Sequence, residues 1–191
     1  MLKTMKRDYE GYNTTVKRLL TDARRDPELQ SHLEGVVAEV MSVPRPYVLA
    51  VETALGAAMQ HLITPTDQDA KALIQYLRNR QYGRATFLPL SAIRGRGISA
   101  QEQCVSGMQG CCGVASDLVS ADERYRQIIV NLLGRTLIAQ DMDSAIALAR
   151  ACNHSLRIVT LQGDVIHSGG SMTGGSIRSR YTSLLGREQE L

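Results

Sequence analysis

The strongest constraint on this fold is an internal echo. Ala54-Leu55-Gly56, Leu62-Ile63, Asp67 to Leu73 and Arg84-Ala-Thr-Phe-Leu88 line up, in order, with Leu132-Leu133-Gly134, Leu137-Ile138, Asp141 to Ala147 and Arg157-Ile-Val-Thr-Leu161. The offset drifts only from 78 to 73 residues. Such a repeat within 191 residues points to a duplicated α/β unit, and so to two related subdomains sharing one sheet system. Any two strand–helix–strand stretches can be brought into such an alignment, so the repeat stands here as an expectation.

The elements around it follow from local chemistry. Gly35–Met41 reads as a strand, and Pro46–Met59 as a helix opened by proline. His61–Thr64 is a strand, and Thr66-Asp-Gln-Asp69 caps a helix running to about Arg80. Arg84–Leu90 is a strand whose Pro89 suits an edge or an end. A Gly- and Ser-rich stretch, 91–113, separates this first subdomain (33–90) from a second (114–176). There Val114–Val119 reads as a short strand or turn, and Ser120–Glu123 as a capping box opening a helix to Leu133. Thr136–Gln140 is a strand, Asp141 opens a helix ending near Asn153, and Leu156–His167 supplies one or two more strands.

Both ends read as helical arms. Leu2, Met5, Tyr9, Tyr12, Val16, Leu19 and Ala23 keep a heptad stripe. A 25-residue helix spans roughly 37 Å, and Asp26-Pro27 is a natural stop. Residues 1–26 therefore read as a coiled-coil stub, the alternative being an amphipathic helix lying on the domain. Residues 177–191, with Leu184 and Leu191 seven apart, read as the start of a second stub running antiparallel to the first. Both ends look cut mid-element, as in a fragment of a longer chain.

Composition narrows the function. No apolar stretch approaches the about 20 residues of a membrane span, and no apolar region follows the basic start to make a secretory signal, so a cytoplasmic protein is expected. One Phe, seven Tyr and no Trp are too few for a base-stacking platform. Cys104, Cys111, Cys112 and Cys152 lack metal-ligand spacing and read as reduced, small apolar side chains. The net charge of +3 comes from the first 25 residues, which hold seven basic and three acidic groups; the body is near neutral. Attraction to nucleic acid must then come from an arm or a local cluster.

The most unusual stretch is Gly169-Gly-Ser-Met-Thr-Gly-Gly175. Three readings compete: a phosphate loop, a flexible loop, and a strand edge whose glycines admit a second backbone. The phosphate loop, which would make this a nucleotide- or anion-binding α/β protein, lacks its lysine, since none follows Lys71. Composition does not choose between the other two. The histidines are scattered, so catalytic constellations are weak. Asp67/Asp69 and Asp141/Asp143 sit where helix caps belong rather than as a metal site. Arg78/Arg80/Arg84, Arg94/Arg96 and Arg178/Arg180 read as solvated basic groups, the last adjoining an arm.

Taken together, GVVAEVM (35–41), ETALGAAMQHLIT (52–64), YGRATFLPL (82–90), NLLG (131–134), RIVTLQGDVIHSGGSMTGGS (157–176) and SLLGREQEL (183–191) resemble the hinge region of bacterial SMC chromosome-condensation proteins. The resemblance implies an α/β (α+β) hinge of two subdomains with short mixed sheets and coiled-coil arm stubs. It implies a homodimer that joins two arms into a ring-like assembly on the nucleoid, with the ATPase head elsewhere and no catalysis, cofactor or metal here. Carried over to this sequence, the dimer contact falls on Gly169, Gly170, Gly174 and Gly175. The lysine run that members often have beyond it is replaced by Arg178 and Arg180, so any DNA contact should be weak, non-specific and salt-sensitive.

Overall fold

The computed structural model describes residues 11–176 and 184–185. The chain opens with α1 (Thr14–Arg25), whose N-cap Asn13 accepts the Val16 amide at 2.9 Å, and α2 (Pro27–Ser31), capped by Asp26. Of the helix expected from residue 1, the described part begins at Thr14 behind the Asn13 cap, with Gly11 at φ +95° just ahead. The stripe of α1 also differs from a free seam. Val16, Leu19, Leu20 and Ala23 are all buried, against Val36, Leu62, Leu73 and Leu77. Four buried positions in twelve residues give α1 the wide stripe of a helix docked on the domain over its described length; residues 1–10 of the expected coiled-coil stub lie outside the described residues.

The run 35–41 divides into β1 (Gly35–Val36), a 3-10 turn, and β2 (Met41–Ser42). Next come α3 (Val48–Leu55), β3 (Leu62–Thr64), α4 (Asp67–Arg80) and β4 (Phe87–Pro89). Thr66 and Asp69 form the expected reciprocal cap on α4. The connecting stretch carries α5 (Gln103–Ser106), and β5 (Cys111–Val114) already begins within it. Val114–Val119, expected as a strand or turn, is mostly α6 (Ala115–Leu118). Ser120 and Ala121 form β6 rather than a capping box; Asp122 caps the 3-10 turn that leads into α7 (Arg126–Leu133). Then follow β7 (Thr136–Ala139), α8 (Met142–Ala151) capped by Asp141, β8 (Arg157–Thr160), β9 (Val165–Ile166) and β10 (Met172–Thr173).

The first sheet has the order β1-β3-β4, the second β10-β9-β8-β7-β5. In each, the first strand of the repeat pairs antiparallel with the second, and the third joins it parallel after a helical crossover. The echo in the sequence is therefore an echo in topology: β1–α3–β3–α4–β4 matches β5–α7–β7–α8–β8. The halves meet at β2 and β6, where Ser42 lies opposite Ser120. These serines are 78 positions apart, the offset that relates Gly56 to Gly134, so a pseudo-two-fold axis passes between them.

Side chains of the inner strands β3, β7 and β8 are buried on both faces, as is usual where parallel neighbours are covered by helices. Leu62 faces the cluster under α1 and α4, while Ile63 faces a central cluster built by α3 and α7. In the second sheet Leu137 and Ile158 face α8, while Ile138 and Val159 face the same central cluster. That core draws on both halves, and Leu185, 1% exposed, joins it with Leu184 at its margin. Leu184, expected on an arm seam, thus packs on the body.

Candidate functional site

The glycine stretch is a β-hairpin. After β9 the chain turns through 167–170 and returns as β10, which pairs antiparallel with β9 (Met172 opposite Ile166, Thr173 opposite Val165). His167 N donates to Ser171 O at 2.7 Å, and Gly170 N to His167 O at 2.9 Å. β10 is the last strand of its sheet, so its outer backbone edge has no strand partner among the described residues. Both its side chains are exposed, and Met172 keeps 54% of its surface in solvent.

The four glycines do different work. Gly169 and Gly175 adopt φ +93° and +130°, and a Cβ on either would meet nothing within 4 Å. They combine a backbone shape that side chains avoid with open space beside it. Gly170, at φ +108°, packs over the His154 ring. At Gly174 a Cβ would lie 2.6 Å from Asp164 Oδ1, the atom that accepts the Gly175 amide at 3.2 Å. Part of the cluster is thus required by the hairpin itself. Arg178 and Arg180 lie outside the described residues.

The first sheet ends differently. β4 pairs on one side with β3 and is a sheet edge on the other. Between α4 and the segment that leads into β4 lies a groove of about 430 Å³ lined by Ile74, Leu77, Arg78, Gly83, Arg84 and Ala85. Ile74 is 43% exposed, off the Ala70-Leu73-Leu77 stripe that buries α4. The exposure of Met172 and Ile74 was not legible in the sequence. The available signal was an apolar residue one step off the core face of α4, and another flanked by glycines where no core lies.

A third constellation lies on the connecting stretch. Glu102, 8% exposed, takes both ends of the Arg135 fork at 3.0 and 2.9 Å, together with the Ser155 hydroxyl and the Ser99 amide. Arg135 holds its carboxyl down at about 2. α1 is tied down by a similar knot, in which Asp22 accepts from Tyr76 (2.6 Å) and Tyr82 (2.8 Å).

Other sequence candidates resolve structurally. Asp69 and Asp141 are helix caps, in separate subdomains. Cys111, Cys112 and Cys152 pack in or against the cores, while Cys104 is exposed, unlike the apolar role expected for it. Burial pushes the Cys111 and Cys112 thiols up, away from the reactive thiolate. The phosphate-loop reading is not supported: Gly169 and Gly170 lie in the turn between β9 and β10, and not between a strand and a helix N-terminus. No helix among the described residues is long and apolar enough to cross a membrane.

Two related mixed α/β halves joined on a pseudo-two-fold, with open strand edges of unlike character, define a class of paired-subdomain modules. Residues 30–149 match the family model of the SMC proteins flexible hinge domain. The chain is 44% identical over 192 residues to the chromosome partition protein Smc of Bacillus subtilis, covering all of this chain and 16% of that one. It also resembles the Geobacillus stearothermophilus SMC hinge domain, crystallised as an asymmetric dimer, with 41% identity and a TM-score of 0.90 over 99% of this chain and 74% of that one. The Pyrococcus furiosus SMC hinge domain matches at 25% identity and a TM-score of 0.65, over 91% and 93% of the two chains. The chain belongs to the SMC hinge-domain family, and it spans about a sixth of the length of the Smc relatives it matches.

Proposed function

We propose that this chain is the homodimerisation hinge of an SMC chromosome condensation and segregation ATPase. In this reading β10 of one protomer adds to the β4 edge of the other, with Met172 seated in the groove beside Ile74. The observation that carries it is the outer edge of β10, which has no strand partner among the described residues: its side chains are exposed on both faces, and Gly169 and Gly175 flank it with open space beside them. Two-fold symmetry makes the contact occur twice, and closing two modest contacts together gains by effective concentration. The dimer can then be tight while one contact opens. The likeness to the G. stearothermophilus hinge supports this reading.

Such a dimer would join two coiled-coil arms into a ring on the cytoplasmic nucleoid, with weak, salt-dependent DNA contact at Arg178 and Arg180. A gel-shift salt series tests the DNA contact, and affinity indifferent to salt overturns it. Complementary variants test the dimer. Met172→Glu and Ile74→Asp should each sediment as monomers, because both symmetric contacts are damaged. Mixed one to one they should pair, because one contact of the mixed dimer joins native β10 to native groove. Variants that dimerise alone, or a mixture that stays monomeric, would overturn the proposed seat.

A further inference from the structure

The turn that supports the glycine hairpin is itself strained. Asn153 and His154, directly after α8, take φ +54° and +57°. Such non-glycine conformations persist only where the surroundings over-determine them. Here the turn is held from two sides. On one, Ser155 donates to Glu102 Oε2, and Arg135 Nη2 donates to Ser155 O at 3.3 Å. On the other, His154 O accepts the Gly169 amide at 2.9 Å, and Ser155 O accepts the Ser168 hydroxyl at 3.4 Å.

Glu102 and Arg135 therefore lie one residue, Ser155, from the backbone that seats the hairpin. Arg135 also donates to Gly97 O at 3.1 Å, and its own carbonyl accepts the Arg157 amide at 3.2 Å, so the pair joins connector, β7 and β8 at one point. The pair borders an open polar groove of about 430 Å³ rather than the apolar core. Resting on the dimer reading above, we infer that Glu102 and Arg135 are positioning residues for dimerisation: through Ser155 and His154 they fix the β9–β10 turn, and so the angle at which β10 meets its partner, without touching the partner themselves.

The experiment measures the dimer dissociation constant by sedimentation equilibrium for Glu102→Gln and Arg135→Lys in the whole chain. Amide exchange at Gly169 and the thermal midpoint are read alongside. Lysine keeps the charge but loses the fork. Both variants should weaken the dimer about tenfold, which is 1.4 kcal/mol, and speed exchange at Gly169, while Leu137 and Ile158 stay protected. Leu148→Ala, a core change in the same half, is the control for lost stability. Weakening of the dimer by Leu148→Ala to the same degree overturns the inference, as does native affinity in both polar variants. A Met172→Glu chain that still dimerises means the interface reading itself has failed. If Met172→Glu is monomeric while the polar variants pair normally, the interface stands and only the positioning role falls.

Discussion

The two sheets share one plan and end in different ways. In the first subdomain the ladder stops at β4, and the segment leading into that edge strand lines, with α4, a groove holding two arginines and the exposed Ile74. In the second, the equivalent strand β8 is extended by the β9–β10 hairpin, which moves the edge outward onto a glycine-flanked strand. A duplicated unit with two identical edges would pair with itself indiscriminately. In the proposed dimer, unlike edges would let one half offer a strand and the other receive it, which would give the closed dimer its register.

The comparison is broken most severely in the cores. Leu73 in the first half and Leu148 in the second are each fully buried, so either change to alanine should cost about 2–5 kcal/mol. Calorimetry should show one unfolding transition for both variants, because the central cluster belongs to both halves. Two separated transitions would mean the halves fold independently.

A smaller effect tests how α1 is held to the first half. Burial pushes the Asp22 carboxyl up, but hydrogen bonds from Tyr76 and Tyr82, with Arg80 and Arg25 nearby, outweigh it and hold the group below its usual 3.8. The hydrogen bond to this carboxylate in turn raises Tyr76 to about 12. A lowered carboxyl stabilises the fold above its unfolded value, and that contribution is lost as pH falls through the folded one. Asp22→Asn should lower the melting temperature by about 2–6 °C at neutral pH. Thermal melts should show the gap to the native chain closing below 3.8; a gap independent of pH would show that the charge is not what matters.

The smallest effect compares the matched caps of α4 and α8. Thr66→Ala removes one arm of a reciprocal box and should cost about 1 kcal/mol in urea unfolding. Asp141→Ala removes a one-way cap to the Ser144 amide and should cost less. The reverse order would show that the two caps are not equivalent devices.

Much of this was legible from neighbouring residues. The caps at Thr66 and Asp141, the paired apolar runs Leu62-Ile63 and Leu137-Ile138, and the repeat that links them are written within a few positions of each other. The misreadings share a cause. Spacing names a face and not what covers it: the stripe of α1 was legible, but that Val36, Leu62, Leu73 and Leu77 cover its described part was not. Ser120 and Ala121 satisfy a capping pattern but pair with Met41 and Ser42, some 78 residues away, and long-range pairing overrode the local motif. The glycine stretch stood out in the sequence as a candidate site, while the exposure of Met172 and Ile74 did not, because each is defined by the absence of packing.

The order of elements, their caps and the two-fold repetition were settled by the chain's own chemistry, since each depends on hydrogen bonds and side-chain periods local to one turn or strand. Three things were decided only in three dimensions: where α1 docks, which edges stay open, and how Glu102 and Arg135 reach the turn beneath the hairpin. Arg135 lies 33 positions from Glu102, and Ser155 lies 53, and no local pattern specifies which distant group will satisfy a buried carboxylate. Desolvation penalises an unpaired charge wherever it sits, but only the folded backbone determines which partner is within reach.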